Sequence, residues 1–400
     1  MKKIYLQLCI VALLMPLGSF AQFTFTNGNN SLELSGYLVG FYQYRPQFTG
    51  DPKAGDFKKN TFDLDDARFN MKGFVKGGLK FELEINFADI IAFIGTPTDQ
   101  TAVPLTEANI TYTNPYLNIK AGYFKLPFSP SSMIDKIPSP FMARSAIATG
   151  TYFSRRDAGV MIFKDFWHQR INIYAGVCSG NGELILMGQN DPNGKPEYFG
   201  RIELSTAYYR KEELDKRNLA LPLARIGADI RYNDKTTFSG DGTGVNAYST
   251  GNVMTIDGKK ISYGADAAFM WHGFSAQFEM DWSNNIAAPG SPLAEQLATY
   301  NTKFFKNGGY LVQANYYNKL LRSAFAIRYD EFNPSDLAGT YGSNGSFLGP
   351  QQRTVTFGYN FFALPYNLMI KLHYALRLKE PDINQKWKED EFRAGFQYTF

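Results

Sequence analysis

Basic side chains are concentrated in one segment of the chain that also contains four prolines, between residues 125 and 155. Guanidinium and ammonium groups donate charge-assisted hydrogen bonds to anions, and a ring of them in a narrow aqueous passage attracts anions and repels cations. The prolines stiffen the segment. The sequence therefore predicts an anion-binding constriction, with a solvated loop of incidental charge as the alternative. Its candidate residues are Lys125, Lys136, Arg144, Arg155 and Arg156.

A second set of charged residues alternates with apolar residues in extended segments. We expect its basic members to line the same aqueous passage, although wall charges also serve solubility alone. These members are Arg170, Arg201, Arg225, Arg231, Lys371, Arg377 and Arg393. Acidic residues occupy equivalent positions of the pattern, among them Glu82 and Glu84. The predicted wall is therefore charged with both signs.

These residues lie in segments where apolar and polar side chains alternate with a period of two, which is typical of a strand with one apolar face. Residues 79–87 illustrate this, since Leu79, Phe81 and Leu83 alternate with Lys80 and Glu82. The pattern predicts about 16 strands, near residues 32–44, 61–75, 78–88, 105–113, 117–124, 156–164, 169–178, 198–208, 222–233, 259–270, 273–283, 309–317, 320–330, 352–362, 367–379 and 391–400.

The connections between these strands alternate between short and long. Only the connection at 209–221 is long where a short turn is due. A soluble β-sandwich is the alternative architecture, but it would expose its polar faces on shorter strands. Here we expect the apolar faces to contact lipid and the charged faces to line water. The sequence therefore predicts an all-β, transmembrane, antiparallel up-and-down β-barrel of about 16 strands, with the third long loop (125–155) folded into the lumen.

Composition agrees with this fold class. The chain has 400 residues, of which 44% are hydrophobic, 16% aromatic and 20% charged. After the N-terminus, no stretch approaches the roughly 20 apolar residues of a transmembrane helix. The formal net charge of +4 is too small to indicate a nucleic-acid partner.

The two ends of the chain resemble targeting signals. Lys2 and Lys3 precede an apolar run that ends at Ala21, as in a secretory signal peptide. We therefore predict a signal peptide at 1–21 and a barrel at 22–400. The last strand ends on Phe400 and resembles the recognition strand of bacterial outer-membrane barrels, which implies recognition by the barrel-assembly machinery.

Enzymatic chemistry is not indicated. The sequence has only three histidines and no nucleophile elbow, so we predict no catalytic residue, no metal site and no cofactor. Residues 188–195 miss the spacing of a phosphate-binding loop. Residues 241–244 are more typical of a flexible turn than of a calcium loop. Ser291 followed by Pro292 predicts a short helix to about Tyr300.

Several motifs together resemble the phosphate-selective porin O and P family. They are residues 64–73 (LDDARFNMKG), 80–85 (KFELEI), 122–129 (GYFKLPFS), 140–145 (PFMARS) and 156–160 (RDAGV). The resemblance is clearest over residues 32–178. It implies a 16-stranded trimeric channel whose third loop folds inward, and a lumen with an arginine ladder leading to a lysine-rich constriction.

One part of this resemblance is incomplete, because Asp65 and Asp66 stand where members of the family carry basic residues before the Ala-Arg pair. We expect a passive outer-membrane channel of a Gram-negative bacterium for small anions, phosphate or polyphosphate first, assembled as a homotrimer in lipid. A general or weakly selective porin, which would also pass acidic sugars, is the first alternative. A surface adhesion barrel with a closed lumen is the second.

Overall fold

The computed structural model describes most of the chain. Four predictions lie outside the described residues: the signal peptide at 1–21, the candidate Lys136, the long connection at 209–221 and the turn at 241–244. The described residues are 23–46, 60–88, 105–134, 139–148, 154–180, 182, 194–206, 222–235, 258–337, 351–364, 367–378 and 390–400.

The described chain is almost entirely β-structure. Its strands are β1 (Phe23–Asn27), β2 (Asn30–Tyr44), β3 (Asn60–Val75), β4 (Leu79–Asn86), β5 (Leu105–Thr113), β6 (Asn118–Lys125), β7 (Arg156–Phe166), β8 (Ile171–Cys178), β9 (Glu197–Ser205), β10 (Leu223–Lys235), β11 (Gly258–Trp271), β12 (Phe274–Ala287), β13 (Phe304–Asn318), β14 (Ser323–Asn333), β15 (Gln352–Leu364), β16 (Leu368–Arg377) and β17 (Glu391–Thr399). Two short helices, α1 (Pro130–Met133) and α2 (Pro292–Ala298), lie in long connections.

Strands β2–β17 form a closed antiparallel barrel of 16 strands. Each strand pairs with its neighbours in sequence, and β17 closes the ring by pairing with β2, where Phe392 lies opposite Tyr44 and Thr399 opposite Tyr37. Phe400 continues this ladder, since its N–H donates to Gly36 O (3.0 Å) and its carbonyl accepts from Gly36 N (2.9 Å). The predicted strand number and up-and-down order are therefore confirmed.

The two faces of the barrel have opposite chemistry because successive side chains of a strand point to opposite faces. On β10, Ile226 and Ile230 are 56% and 54% exposed, whereas Arg225 and Asp229, which directly precede them, are 4% and 6% exposed. Other strands repeat this pattern, so the outer face is apolar and the inner face carries the charges. Such an arrangement is typical of transmembrane β-barrels.

The differences from the predicted strands are small and have local causes. β13 begins at Phe304 rather than near 309, because Phe304 and Phe305 interrupt the alternation. β1 was not predicted, and it pairs with the first residues of β2. The predicted helix is confirmed as α2, whose N-cap Ser291 accepts a hydrogen bond from Ala294 N at 3.1 Å. Within the described ranges, no helix is long and apolar enough to cross a membrane.

Candidate functional site

Lys125 and Arg156 lie opposite each other where β6 and β7 end. Both approach the same carboxylate, Glu107 of β5, with Lys125 Nζ at 3.8 Å and Arg156 Nε at 3.5 Å from Oε1. Arg156 and Glu107 are 3% and 5% exposed. The first and last residues of the predicted constriction therefore share one anionic partner in the wall.

Arg144 and Arg155 lie in the β6–β7 segment, by which we mean its described residues 126–134, 139–148 and 154–155. Arg144 Nη1 donates to the carbonyls of Ser131 (2.9 Å) and Ile134 (2.7 Å), at the end of α1. Arg155 Nε donates to Ser132 O at 3.0 Å. Cations favourably meet the unsatisfied carbonyls at the C-terminus of a helix. These two arginines therefore stabilise the fold of the segment itself.

The first part of the β6–β7 segment is hydrogen-bonded to carboxylates of β10 and β12. Ser129 N donates to Asp229 Oδ2 at 3.3 Å, and Ser129 Oγ donates to Glu279. Ser131 donates to Glu279 Oε2 from both its N–H (3.0 Å) and its hydroxyl (2.5 Å). Asp229 and Glu279 belong to the inner face, so this part of the segment lies against it.

The second part of the segment contacts inner-face side chains of β14, β15 and β16. Arg328 Nη1 donates to Ala143 O at 3.1 Å, and its guanidinium stacks on Phe141 at 4.6 Å. Further polar contacts are Arg328 Nη2 to Arg144 O (3.3 Å), Lys371 Nζ to Ser139 O (2.9 Å), Asn360 Nδ2 to Pro140 O (3.0 Å), Met142 N to His373 Nδ1 (3.2 Å) and Ala146 N to Asp330 Oδ1 (2.8 Å).

An apolar cluster joins the same segment to α2 and to the inner wall. Phe128 and Ile147 are 1% and 0% exposed, and they pack with Leu293 and Leu297 of α2. Strands β12–β14 contribute Ala287, Phe305, Leu311 and Phe332 to the cluster. Burial of these side chains stabilises the contact between the two connections, because each large apolar side chain removed from water contributes roughly 1.5–3 kcal/mol.

Two of the predicted wall arginines are surrounded by carboxylates on β9–β12. Arg201 forms ion pairs with Glu203 (2.8 Å), Asp229 and Asp266 (2.6 Å). Arg225 forms ion pairs with Glu203 (3.2 Å) and Asp266 (3.1 Å). We call the inner-face carboxylates Glu203, Asp229, Asp266, Glu279 and Asp281 the acidic sector. It holds more carboxylates than its two arginines neutralise.

The two remaining arginines of this part of the wall differ from each other. Arg231 is 5% exposed, forms an ion pair with Glu197, and donates to Ser154 O at 2.8 Å. Arg170 lies in the turn between β7 and β8 and is exposed. The prediction that placed Arg170 in a strand of the wall is therefore wrong, because β8 begins at Ile171.

A surplus of cations occupies the inner face of β14–β17. We call Arg45, Arg328, Lys371, Arg377 and Arg393 the basic sector. Within the described ranges, the carboxylates that form ion pairs with these cations are Asp330, 3.1 Å from Arg328, and Glu391, 3.3 Å from Arg45 and 2.6 Å from Arg393. Arg377 donates to Thr354 Oγ1 at 2.9 Å. The sequence prediction missed Arg328, which alternates with Ile327 and Tyr329, and Arg45, which directly follows β2.

The predicted acidic wall residues are paired with cations of β3. Glu84 Oε1 lies 2.9 Å from Arg68 Nη1, and Glu82 Oε1 lies 3.1 Å from Lys72 Nζ. Asp66 lies 2.8 Å from Arg68 Nη2. Asp66, which stands at an expected basic position of the motif at 64–73, thus forms an ion pair with Arg68 of the same motif.

Solved structures similar to this fold include porins and outer-membrane channels. The anion-selective porin from Comamonas acidovorans is 12% identical and superimposes with a TM-score of 0.57, covering 93% of this chain and 100% of that porin. The DcaP channel of Acinetobacter baumannii is 13% identical with a TM-score of 0.58, covering 94% of this chain and 99% of that channel. Salmonella typhi OmpF in complex with daunomycin is 13% identical with a TM-score of 0.56, covering 94% of this chain and 100% of that porin. At such identities the likeness concerns the fold alone.

Sequence comparison identifies the family. No curated protein sequence matches the chain. The profile described as phosphate-selective porin O and P, however, matches residues 42–400, which is nearly the whole chain. The family and the fold are those of a channel rather than an enzyme. The chain therefore belongs to the phosphate-selective porin O and P family and is an outer-membrane porin of a Gram-negative bacterium.

Proposed function

We propose that this porin is a passive diffusion channel for small anions, phosphate or polyphosphate first. The observation that supports this most directly is the surplus of cations in the basic sector, where five cationic side chains face two carboxylates. Arg377 and Arg393 are only partly buried, so water and solutes have access to them. In a passage that excludes most solvent, such a surplus attracts anions and repels cations.

The β6–β7 segment narrows the lumen in this proposal. Its polar partners, including Asp229, Glu279, Arg328 and Lys371, belong to inner faces of strands far apart around the barrel. These contacts support a segment that crosses the interior of the closed barrel. Within the predicted constriction, Arg144 and Arg155 then position the segment, while Lys125 and Arg156 contribute charge beside Glu107.

A weakly selective porin is the second candidate, and the acidic sector favours it. Five carboxylates on β9–β12 compensate part of the positive potential of the basic sector. Such a channel would pass dipolar and weakly charged solutes, including acidic sugars, with little preference. The closed adhesion barrel has no comparable support among the described contacts, and absence of conductance would be its signature.

Planar-bilayer recording tests these functions. We expect a reversal potential that indicates anion preference in a potassium chloride gradient, and a chloride current that added phosphate reduces because both anions compete for the same cations. An anion preference without an effect of phosphate would favour the general porin. A cation-selective channel, or purified protein that conducts no ions, would contradict the proposal.

We also propose that the porin matures and assembles as its termini suggest. Cleavage after Ala21 would release residues 22–400, and Phe400 would be recognised by the barrel-assembly machinery before insertion into outer-membrane lipid. The assembled form would be a homotrimer. N-terminal sequencing and the native mass in detergent measure these two features, and a start other than Gln22 or a monomeric mass would contradict them.

A further inference from the structure

The acidic sector carries more negative charge than its protein partners neutralise. Of its carboxylates, Asp229, Asp266, Glu279 and Asp281 are 6%, 5%, 0% and 1% exposed. Burying an uncompensated carboxylate is costly, and the cost rises when like charges are close. Arg201 and Arg225 are directed at Glu203, Asp229 and Asp266. The negative charge of Glu279 and Asp281 on β12 must therefore be neutralised by another group.

The space over two glycines of neighbouring strands shows where the carboxylates of the sector meet. A Cβ atom added at Gly227 of β10 would collide with Arg201 Nη2 and Asp266 Oδ2, so an ion pair fills the space over this glycine. A Cβ atom added at Gly264 of β11 would collide with the Oδ1 atoms of Asp229 and Asp281. Over Gly264, two carboxylate oxygens thus converge from β10 and β12, where the equivalent space over Gly227 holds a carboxylate and a guanidinium.

Among the described residues, Asp281 has no N–H or hydroxyl donor for either of its oxygens, and its side-chain partner is the carboxyl group of Glu279. Neither Oδ1 nor Oδ2 accepts a hydrogen bond from any residue within the described ranges, and the same holds for Asp229 Oδ1. The charged groups that act most strongly on Asp281 are Glu279, Asp229 and Asp266, all of them carboxylates. A buried carboxylate with carboxylate neighbours and no donor is the arrangement of a cation ligand.

We propose that Asp229 and Asp281 bind a divalent cation over Gly264. Carboxylate oxygens are the ligands of hard cations, and Mg²⁺ in particular is held by one or two carboxylates while it keeps several of its waters. Within the described ranges, no group of three or more His, Cys, Asp or Glu side chains is arranged to hold a metal ion. A partly hydrated ion on two carboxylates therefore fits better than a fully protein-bound one, and Mg²⁺ fits better than Ca²⁺.

Contacts of the neighbouring arginines with other groups are as follows. Arg231 faces Glu197 and Ser154. Arg144 and Arg155 donate to the carbonyls of residues 131, 132 and 134. Because Ser129 and Ser131 donate to Asp229 and Glu279, a cation here would neutralise the wall to which the β6–β7 segment is bound. The site is independent of which solute the porin conducts.

Isothermal titration of the purified, folded porin tests this site. After treatment with a chelator, wild-type protein should bind Mg²⁺, or Ca²⁺ in a parallel titration, at one saturable site and gain thermal stability with the ion. Asp281→Asn keeps the shape of the side chain but removes its charge, and should weaken binding by more than about tenfold. Glu331→Gln is the matched control, because this carboxylate belongs to the outer face of β14 and accepts hydrogen bonds from Tyr329 and Gln351.

Folding of each variant is verified by its heat-dependent mobility in detergent gels. Loss of binding in Asp281→Asn with retention in Glu331→Gln supports the site. Equal binding by Asp281→Asn and wild type would overturn it. Two results together would also overturn it: the wild type binds neither ion, and Asp281→Asn raises thermal stability equally in chelator and in Mg²⁺. Protons would then neutralise the two carboxylates.

Discussion

Replacing Arg377 and Arg393 by glutamine should reduce anion preference by removing two charges from the basic sector. Both side chains are partly exposed on the inner face, and the guanidinium of Arg393 stacks on Phe41 at 4.5 Å. Glutamine keeps a hydrogen-bonding side chain of moderate length. The change lowers the cations of the sector from five to three while its two carboxylates remain, so the formal charge falls from +3 to +1.

The size of the effect follows from Coulomb's law. At about 6 Å in water, two unit charges interact by about 0.7 kcal/mol, and screening at about 0.1 M salt reduces this to about 0.4 kcal/mol. Two charges therefore contribute about 0.8 kcal/mol to the attraction of an anion and the same amount to the repulsion of a cation. The anion-to-cation permeability ratio should fall by up to about 15-fold.

The assay is the reversal potential of reconstituted channels in a potassium chloride gradient. Lys319→Gln with Arg322→Gln is the matched control, because it removes the same two charges from the exposed turn between β13 and β14. We expect this control to leave the permeability ratio close to that of wild type. If both double variants shift the ratio equally, net charge rather than the basic sector determines selectivity, and the reasoning is refuted.

Three further predictions concern the closure of the barrel, the β6–β7 segment, and the hydrogen bonds of this segment to the wall. Deleting Phe400 removes two hydrogen bonds to Gly36 and should deplete the porin from outer-membrane fractions without changing single-channel conductance; normal abundance would contradict this. Arg144→Glu with Arg156→Glu should shift the reversal potential toward cations if the β6–β7 segment lies in the lumen, and an unchanged potential would argue against that position. Glu279→Ala removes the acceptor of Ser129 and Ser131 and should raise conductance or its variability in single-channel records, whereas Glu331→Ala should not.

The barrel could be predicted from the sequence because its signals are local. In β16, Leu372 and Tyr374 alternate with Lys371 and His373, and this period of two is visible without any knowledge of neighbouring strands. Short turns between such segments then determine the up-and-down order. The pattern fails where local signals are weak, as at Phe304 and Phe305, where β13 begins with two adjacent aromatic residues.

The pairing of charges could not be predicted in the same way, because it depends on register between strands. Arg201 belongs to the predicted wall, but its partners Asp229 and Asp266 follow 28 and 65 residues later and come from two other strands. Lys125 and Arg156 are both basic and close in space, yet both approach Glu107 of a third strand. The regions where cations outnumber carboxylates therefore depend on the pairing of strands in the closed sheet.

The β6–β7 segment matches the charge of the wall on each side. Its N–H and hydroxyl groups at Ser129 and Ser131 meet carboxylates of the acidic sector, whereas its carbonyls at residues 139, 143 and 144 meet Lys371 and Arg328 of the basic sector. Hydrogen bonds to charged groups are stronger than neutral ones, and each buried charge that lost its partner would be destabilising. A shifted or inverted segment would present carbonyls to carboxylates and N–H groups to cations. The charges of the wall therefore favour one position for the segment.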